Sequence, residues 1–567
     1  MSEMKTCKQC NQQFNIEDDD LKFYDRISPT FVGKKYQIPS PTLCPDCRTQ
    51  RRHTFRNERS LYKRKCDLCQ KDIVTIYAPN YQGKVYCQDC WWSDKWEAKE
   101  FAQEIDFSKS FFDQFSELMK KVPRIALINK ESENAEYGNF ALRNKNSYLL
   151  VTSAECEDSF HSKRCWNCRN ISDCWNCTEC ERCYETMDSA KCYSCSWLRN
   201  SESCTDCILG YDLMGCKNCF ACYSLVNKSY HIYNKEYSKE EYETKLKELK
   251  ANLPEEIKKF QALDSIPRKF MDGVQNENCS GDAVYNSKNS HVCYDSANLQ
   301  DCKFVCDATK LKDGYDINND DHSELVYEAV GSETNYMHLF NDICWFNKYL
   351  NYCSLCFNSD HLFGCVGMKK GKYSILNKEY SPEEYETLVA KIIDKMIVEG
   401  EWGEFFKISM SPLGYNETVA NEYYPLTKEN ATKLGAKWQD EDFSLKYDGP
   451  FYQPKDIKEY INSEQERQNL LSGIIKCEVS GKPFKIVQGE LAFLMANEIQ
   501  IPTKHYDIRH QERLKLRNPR KLYQRDCMCE KLGHDHDGKC KVEFETTYAP
   551  NRPEKVCCEL CYQKIIS

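Results

Sequence analysis

Histidine is scarce in this 567-residue chain, with eleven in all. No Gly-rich phosphate loop, nucleophile elbow or His-Glu-x-x-His helix occurs, so the usual signatures of phosphoryl transfer, acyl transfer and zinc hydrolysis are missing. The nearest carboxylate and imidazole clusters, "NNDDH" (318–322) and "HDHD" (534–537), read as polar turns. Nowhere do eighteen uncharged apolar residues run together, and the opening "MSEMKTCKQC" holds no apolar stretch of the signal-peptide kind. The expectation is a cytoplasmic protein that is not an enzyme, has no membrane contact and takes no small-molecule substrate that the sequence identifies. With 41% apolar residues over this length, several separately cored domains are expected.

Cysteine is abundant, with 37 residues. In a reducing compartment thiols stay free, which favours metal ligation or burial over a disulfide framework. The cysteines fall into two patterns, one at the ends of the chain and one in the middle.

The ends repeat each other. Arg56, Asn57, Arg59, Leu61, Tyr62, Arg64 and Cys66 recur as Arg517, Asn518, Arg520, Leu522, Tyr523, Arg525 and Cys527. "TIYAPNYQGKVYCQDC" (75–90) pairs with "TTYAPNRPEKVCCELC" (546–561), and "CKQCNQQFNI" (7–16) with "CEVSGKPFKI" (477–486). In the first copy Cys7, Cys10, Cys44 and Cys47, then Cys66, Cys69, Cys87 and Cys90, form Cys-x-x-Cys pairs. Paired thiolates two residues apart grip one face of a tetrahedral ion, and a second pair from a distant hairpin closes it. Whether consecutive or interleaved pairs share an ion is left open. In the second copy Cys10, Cys44 and Cys47 become Ser480, His505 and Ile508, leaving Cys477 almost alone. The other site survives an insertion, with Cys527, Cys540, Cys558 and Cys561 as matched ligands and Cys529 as an alternative to Cys527. His534 and His536, in the inserted Gly/Asp-rich loop, are expected to be solvated. Three zinc ions per chain are expected, two in the first module and one in the last.

"TCKQCNQQF" followed by "PTLCPDCRTQRR" resembles the probable zinc-ribbon (treble-clef-like) domain family. With "RNERSLYKRKC" and "YAPN", the arrangement is similar over most of the chain to uncharacterised cysteine-rich zinc-binding proteins of small-genome bacteria. The resemblance implies a zinc-ribbon fold for the ends and almost no biochemistry.

The middle has short units, CWNCRNISD, CWNCTECER, CYETMDSAK, then CYSCSWLRNSES, CTDCILGYDLMG and CKNCFACYSLVN (165–227). Units of nine and twelve residues suit a strand plus a turn, two units making one coil of a β-solenoid with cysteine stacked inside. A metal array is the alternative, but the related stretch 279–365 has only eight cysteines, with Tyr, Phe, Leu and Val at many similar places. Metal ligands do not interchange with valine, which favours the buried ladder. Both stretches end in "NKEYS-x-EEYE", with capping-box starts at Ser238 and Ser381 and a stop at Gly400.

The fold class expected is multidomain and mainly β, with duplicated zinc-ribbon-like modules at both ends flanking two helix-capped, Cys-rich β-solenoid-like segments. The expected segments are 1–92 (two-site module), 93–130 (helical connector), 131–262 and 263–400 (solenoids with capping helices), 401–472 (connector) and 473–567 (second module, one site degenerate).

The formal charge is −9, yet residues 48–65 carry +7 and 509–525 carry +6. Guanidiniums fixed between metal sites suit phosphates, so Arg48, Arg51, Arg52, Arg56, Arg59, Arg64, Arg513, Arg517, Arg520 and Arg525 are candidate nucleic-acid ligands. Phe55, Tyr62 and Tyr523 could stack on unpaired bases, which favours RNA or single strands. The alternative is a protein-interaction scaffold, its solenoid the binding face, its zinc modules the caps, and its arginines docked on acidic partners or on the chain's own acidic regions.

Overall fold

The computed structural model describes residues 3–175, 196–199, 201, 203–263, 266–443, 446–531, 533, 534 and 536–566. The chain forms two compact units, whose boundaries cut through the expected connectors 93–130 and 401–472 and leave 263–272 outside the unit of the second solenoid. One joins Met1–Ala126 with Gly273–Asp442, and the other joins Leu127–Asp272 with Phe443–Ser567. The N-terminal module thus folds with the second solenoid, and the C-terminal module with the first.

Each solenoid is a ladder of parallel pairs in which residue i faces i+12, as in Val151 with Lys163, Ile208 with Phe220, and Lys312 with Glu324, apart from an eleven-residue step where the second begins, at Glu277 with Lys288. One coil is therefore twelve residues, shorter than the two-unit coil that the sequence suggests. The reason lies in the backbone: Phe140, Arg143, Asn146, Leu149, Thr152 and Glu155 all have positive φ near 50°. A left-handed residue at every third position turns the chain far more sharply than a strand plus a β-turn. Four such corners close the coil. Asn and Asp, which tolerate this region best, recur there at Asn146, Asp158, Asn167, Asn170 and Asp173.

The residue after each corner points inward, so burial also has a period of three. Ala141, Asn144, Ser147, Leu150, Ser153 and Cys156 are buried in the first solenoid, as are Ser287, Ser290, Cys293, Ser296, Leu299 and Cys302 in the second. Small donors suit these places because the tight turn aims a carbonyl inward two residues back. Ser147 Oγ donates to Lys145 O at 2.8 Å, Ser159 to Glu157 O at 2.9 Å, Cys168 Sγ to Trp166 O at 3.3 Å, and Cys353 Sγ to Asn351 O at 3.4 Å. Inward Asn and Ser also accept from the next coil, as Asn144 does from the Cys156 N–H at 2.9 Å and Ser162 from the Cys174 N–H at 3.0 Å. Cysteine here is a small buried thiol that satisfies a carbonyl. The described pairs Cys165/Cys168, Cys204/Cys207 and Cys216/Cys219 are successive inward positions of this three-residue period. Cys177, Cys180, Cys183, Cys192 and Cys195 lie outside the described residues.

Each solenoid ends as its sequence indicates. A short antiparallel strand folds back on the last coil, with His231 facing Glu236 in the first solenoid and Ser374 facing Glu379 in the second. Helices follow at Lys239–Ala251 and Pro382–Glu399, each with the capping box expected at Ser238 or Ser381, and Gly400 closes the second helix at φ 70°. Tyr385 of the second helix is buried against Tyr373 of the last coil, with ring centroids 5.8 Å apart. In the connector, the helix Phe111–Lys121 packs Phe111 on Phe363 at 5.1 Å and Phe115 on Phe406 at 4.9 Å, bracing the first module on the second solenoid. No helix among the described residues is long and apolar enough to cross a membrane.

Candidate metal centres

The four terminal sites share one local plan, a hairpin whose turn carries the first donors and a helix whose first turn carries the last. In the first, strands Glu3–Thr6 and Gln13–Ile16 lead into a turn where the Cys7 N–H donates to Gln12 O and the Asn11 N–H to Cys7 O. Asn11 takes a positive φ of 60°, and Gln70 and Gly481 repeat it four residues after Cys66 and Cys477. Cys44 is the N-cap of the helix Pro45–His53, and Cys87 that of Gln88–Trp92. In the second copy His505 is the N-cap of Tyr506–Leu516, the place that the repeat register assigns to it.

Consecutive pairs come together. Cys7, Cys10, Cys44 and Cys47 form one cluster, Cys66, Cys69, Cys87 and Cys90 a second, and Cys527, Cys540, Cys558 and Cys561 a third, with the four sulfurs of each within 4.8 Å of one another. Four thiolates at about 2.3 Å from a zinc ion span tetrahedral edges of about 3.8 Å. The Cys10–Cys44 and Cys69–Cys87 sulfur separations are 3.7 Å and 3.8 Å, so the clusters fit such an ion. Backbone amides already face the sulfurs: the Cys87 N–H lies 3.3 Å from Cys66 Sγ, and the Cys558 N–H 3.2 Å from Cys527 Sγ. Burial opposes ionisation of Cys66, but the N–H groups of Cys69, Cys87 and Leu68 outweigh it and bring the thiol down to about 7. At the decayed site Cys477 is buried, and the His505 ring caps its own helix by accepting from the Asp507 N–H at 3.2 Å.

The arginines occupy a different place from the exposed basic surface that the sequence suggests. Arg48, Arg51, Arg52 and Arg56 are buried. Arg48 lies 2.9 Å and Arg52 3.3 Å from the buried carboxylate of Asp316 on the second solenoid. Arg52 also meets Glu328 at 3.0 Å, Arg51 meets Glu328 at 2.9 Å and Glu404 at 2.8 Å, and Arg56 pairs with Glu58 at 2.6 Å. In the other unit Arg509 and Arg513, the counterparts of Arg48 and Arg52, both grip Asp173 of the first solenoid, Arg513 at 2.8 Å. Burial alone would raise the Asp173 carboxyl, yet the two guanidiniums hold it at about 2.

The two aspartates are themselves equivalent. Asp173 stands 61 residues before Asn234 of the first "NKEYS" and Asp316 stands 61 before Asn377 of the second. The clamp was therefore duplicated on both sides. The remaining candidates are half-buried: Arg59, Arg64, Arg517, Arg520 and Arg525. Of these, Arg64 pairs with Asp67 at 3.1 Å, Arg517 lies over the Trp175 ring at 4.9 Å, and Arg525 donates to Ala549 O at 3.2 Å.

Asp173, Asp316 and Glu328 carry no local signal in the sequence. Acidic residues are common at solenoid turns, and only the 143-residue offset shared with the "NKEYS" segments sets the two aspartates apart. No protein-family model matches the chain, and no curated protein matches it.

Proposed function

We propose that the protein is a non-enzymatic, zinc-dependent scaffold whose two solenoids present binding faces to protein partners. Its zinc-ribbon-like terminal modules would act as metal-set clasps. The observation that carries this reading is the paired clamp, in which an arginine helix closes on a buried solenoid aspartate in each unit. The four hairpin-and-helix sites support the resemblance to zinc ribbons, and sulfur donors at tetrahedral spacing support zinc. A reducing, cytoplasmic setting belongs to the same reading, since it keeps the thiols of the ladder free.

Nucleic-acid binding through 48–65 and 509–525 loses its main carriers under this reading. Breaking a buried ion pair to reach a phosphate would leave an uncompensated carboxylate behind, at a cost of about 3–5 kcal/mol. Titration of the full chain with single-stranded RNA, structured RNA and DNA, at low and physiological salt, separates the two readings. The scaffold reading expects no binding tighter than to a neutral polymer. Binding that falls with salt at a log-log slope of about −0.7 to −0.9 per phosphate, and weakens in Arg59→Gln/Arg64→Gln, would overturn it.

A further inference from the structure

The C-terminal module carries a second set of donors. In the N-terminal copy the hairpin cysteines are Cys66 and Cys69; in the C-terminal copy they are Cys527 and Cys540, and the insertion between them holds Cys529, His534 and His536. These three close on Cys561. Cys529 Sγ lies 3.2 Å from His534 Nδ1 and Cys561 Sγ 3.3 Å from His536 Nε2, and the four donor atoms all lie within 4.8 Å of one another. A tetrahedral zinc with sulfur at about 2.3 Å and nitrogen at about 2.0–2.1 Å has mixed edges of about 3.6 Å, so a few tenths of an ångström separate this geometry from a closed site.

One of the imidazoles is also oriented for an ion. His536 Nδ1 is 2.8 Å from Gly538 O, and by donating there it leaves the Nε2 lone pair facing Cys561. Histidines that bind metal through one nitrogen are held in this way through the other. Cys529 and Cys561 are both buried, and the two histidines are half-buried rather than solvated as their loop composition suggests.

We infer that this module holds two ions joined by the Cys561 thiolate. Cys527, Cys540 and Cys558 complete one coordination sphere, and Cys529, His534 and His536 complete the other. Charge favours the pair. Four thiolates around one dication leave two net negative charges in a buried site, whereas five thiolates and two neutral imidazoles around two dications leave one. A set of two sulfurs and two imidazole nitrogens is a common zinc donor set.

The inference rests on the reading of the third cysteine cluster as an ion site, and the test separates the two. The metal content of the purified, zinc-loaded full chain is compared with that of His534→Ala/His536→Ala and of Cys558→Ser. The histidine variant should hold one ion fewer than the natural chain. Cadmium-113 NMR of the natural chain should show two cadmium resonances coupled through a shared sulfur, which does not depend on any variant folding. Equal metal content in the natural chain and the histidine variant, or the lack of a coupled pair, would overturn the shared site alone. If Cys558→Ser also loses no metal, the third cluster is not an ion site and both readings fall.

Discussion

His338 shows how strictly the solenoid sorts residues by position. It occupies an inward column in which its neighbours on either side, one coil away, are Val326 and Leu350, and it is fully buried. Neither ring nitrogen meets a hydrogen-bonding partner among the described residues. Burial pushes the imidazole down to about 3, so the folded chain stays neutral where the unfolded chain takes up a proton below about 6.5. The unfolded state then binds more protons, and stability falls as the pH drops from about 6.5 towards 3. Asp320 and Asp342, raised by burial to about 7 and about 6, act in the opposite sense, keeping protons in the fold that the unfolded chain has released. Their effect is common to both chains when His338→Leu is compared with the natural protein. Leucine should stabilise the fold, and its advantage should grow by about 1.4 kcal/mol for each pH unit below about 6. Urea unfolding of both proteins between about pH 7 and pH 4 measures this, and an advantage that does not change with pH would contradict it.

At the scale of the element, the two arginine helices are the same device, one with a four-cysteine cluster at its first turn that could hold a metal ion and one where that set is reduced to Cys477 and His505. Cys44 and Cys47 hold the first turn of Pro45–His53, whereas His505 and Ile508 stand at those places in Tyr506–Leu516. Removing metal should therefore release the first helix and spare the second. Hydrogen exchange with and without a chelator should show amides of 45–53 losing protection while those of 506–516 keep theirs; equal loss at both would count against the clasp. The capping helices are legible in the sequence because their signals lie a few residues apart, and the duplication and the decayed site because whole motifs recur in register. Cys-x-x-Cys is ambiguous because a metal-binding turn and a three-residue solenoid side both repeat it. A twelve-residue unit is visible, but that a single unit closes a coil is hidden because the corners fall on many residue types, including Val292, Thr152 and Ile343, which seldom adopt positive φ.

At the scale of the molecule, each terminal module closes on the solenoid far from it in sequence. Arg52 and Asp316 are 264 residues apart. No local pattern reveals such a pairing, which is why the positive charge of 48–65 reads as a surface for an external anion. Within the unit, its main partner is the chain's own carboxylate. The pair need not add net stability, since two guanidiniums and a carboxylate must first lose water, but removing one partner strands the others. The most direct test is hydrogen exchange in Asp316→Ala. The account predicts that amides of 45–53 lose protection while the metal content stays at the natural level and the solenoid 287–377 remains protected. Unchanged protection of 45–53 would show that the aspartate does not hold the helix, and would return the arginines to the search for an external ligand.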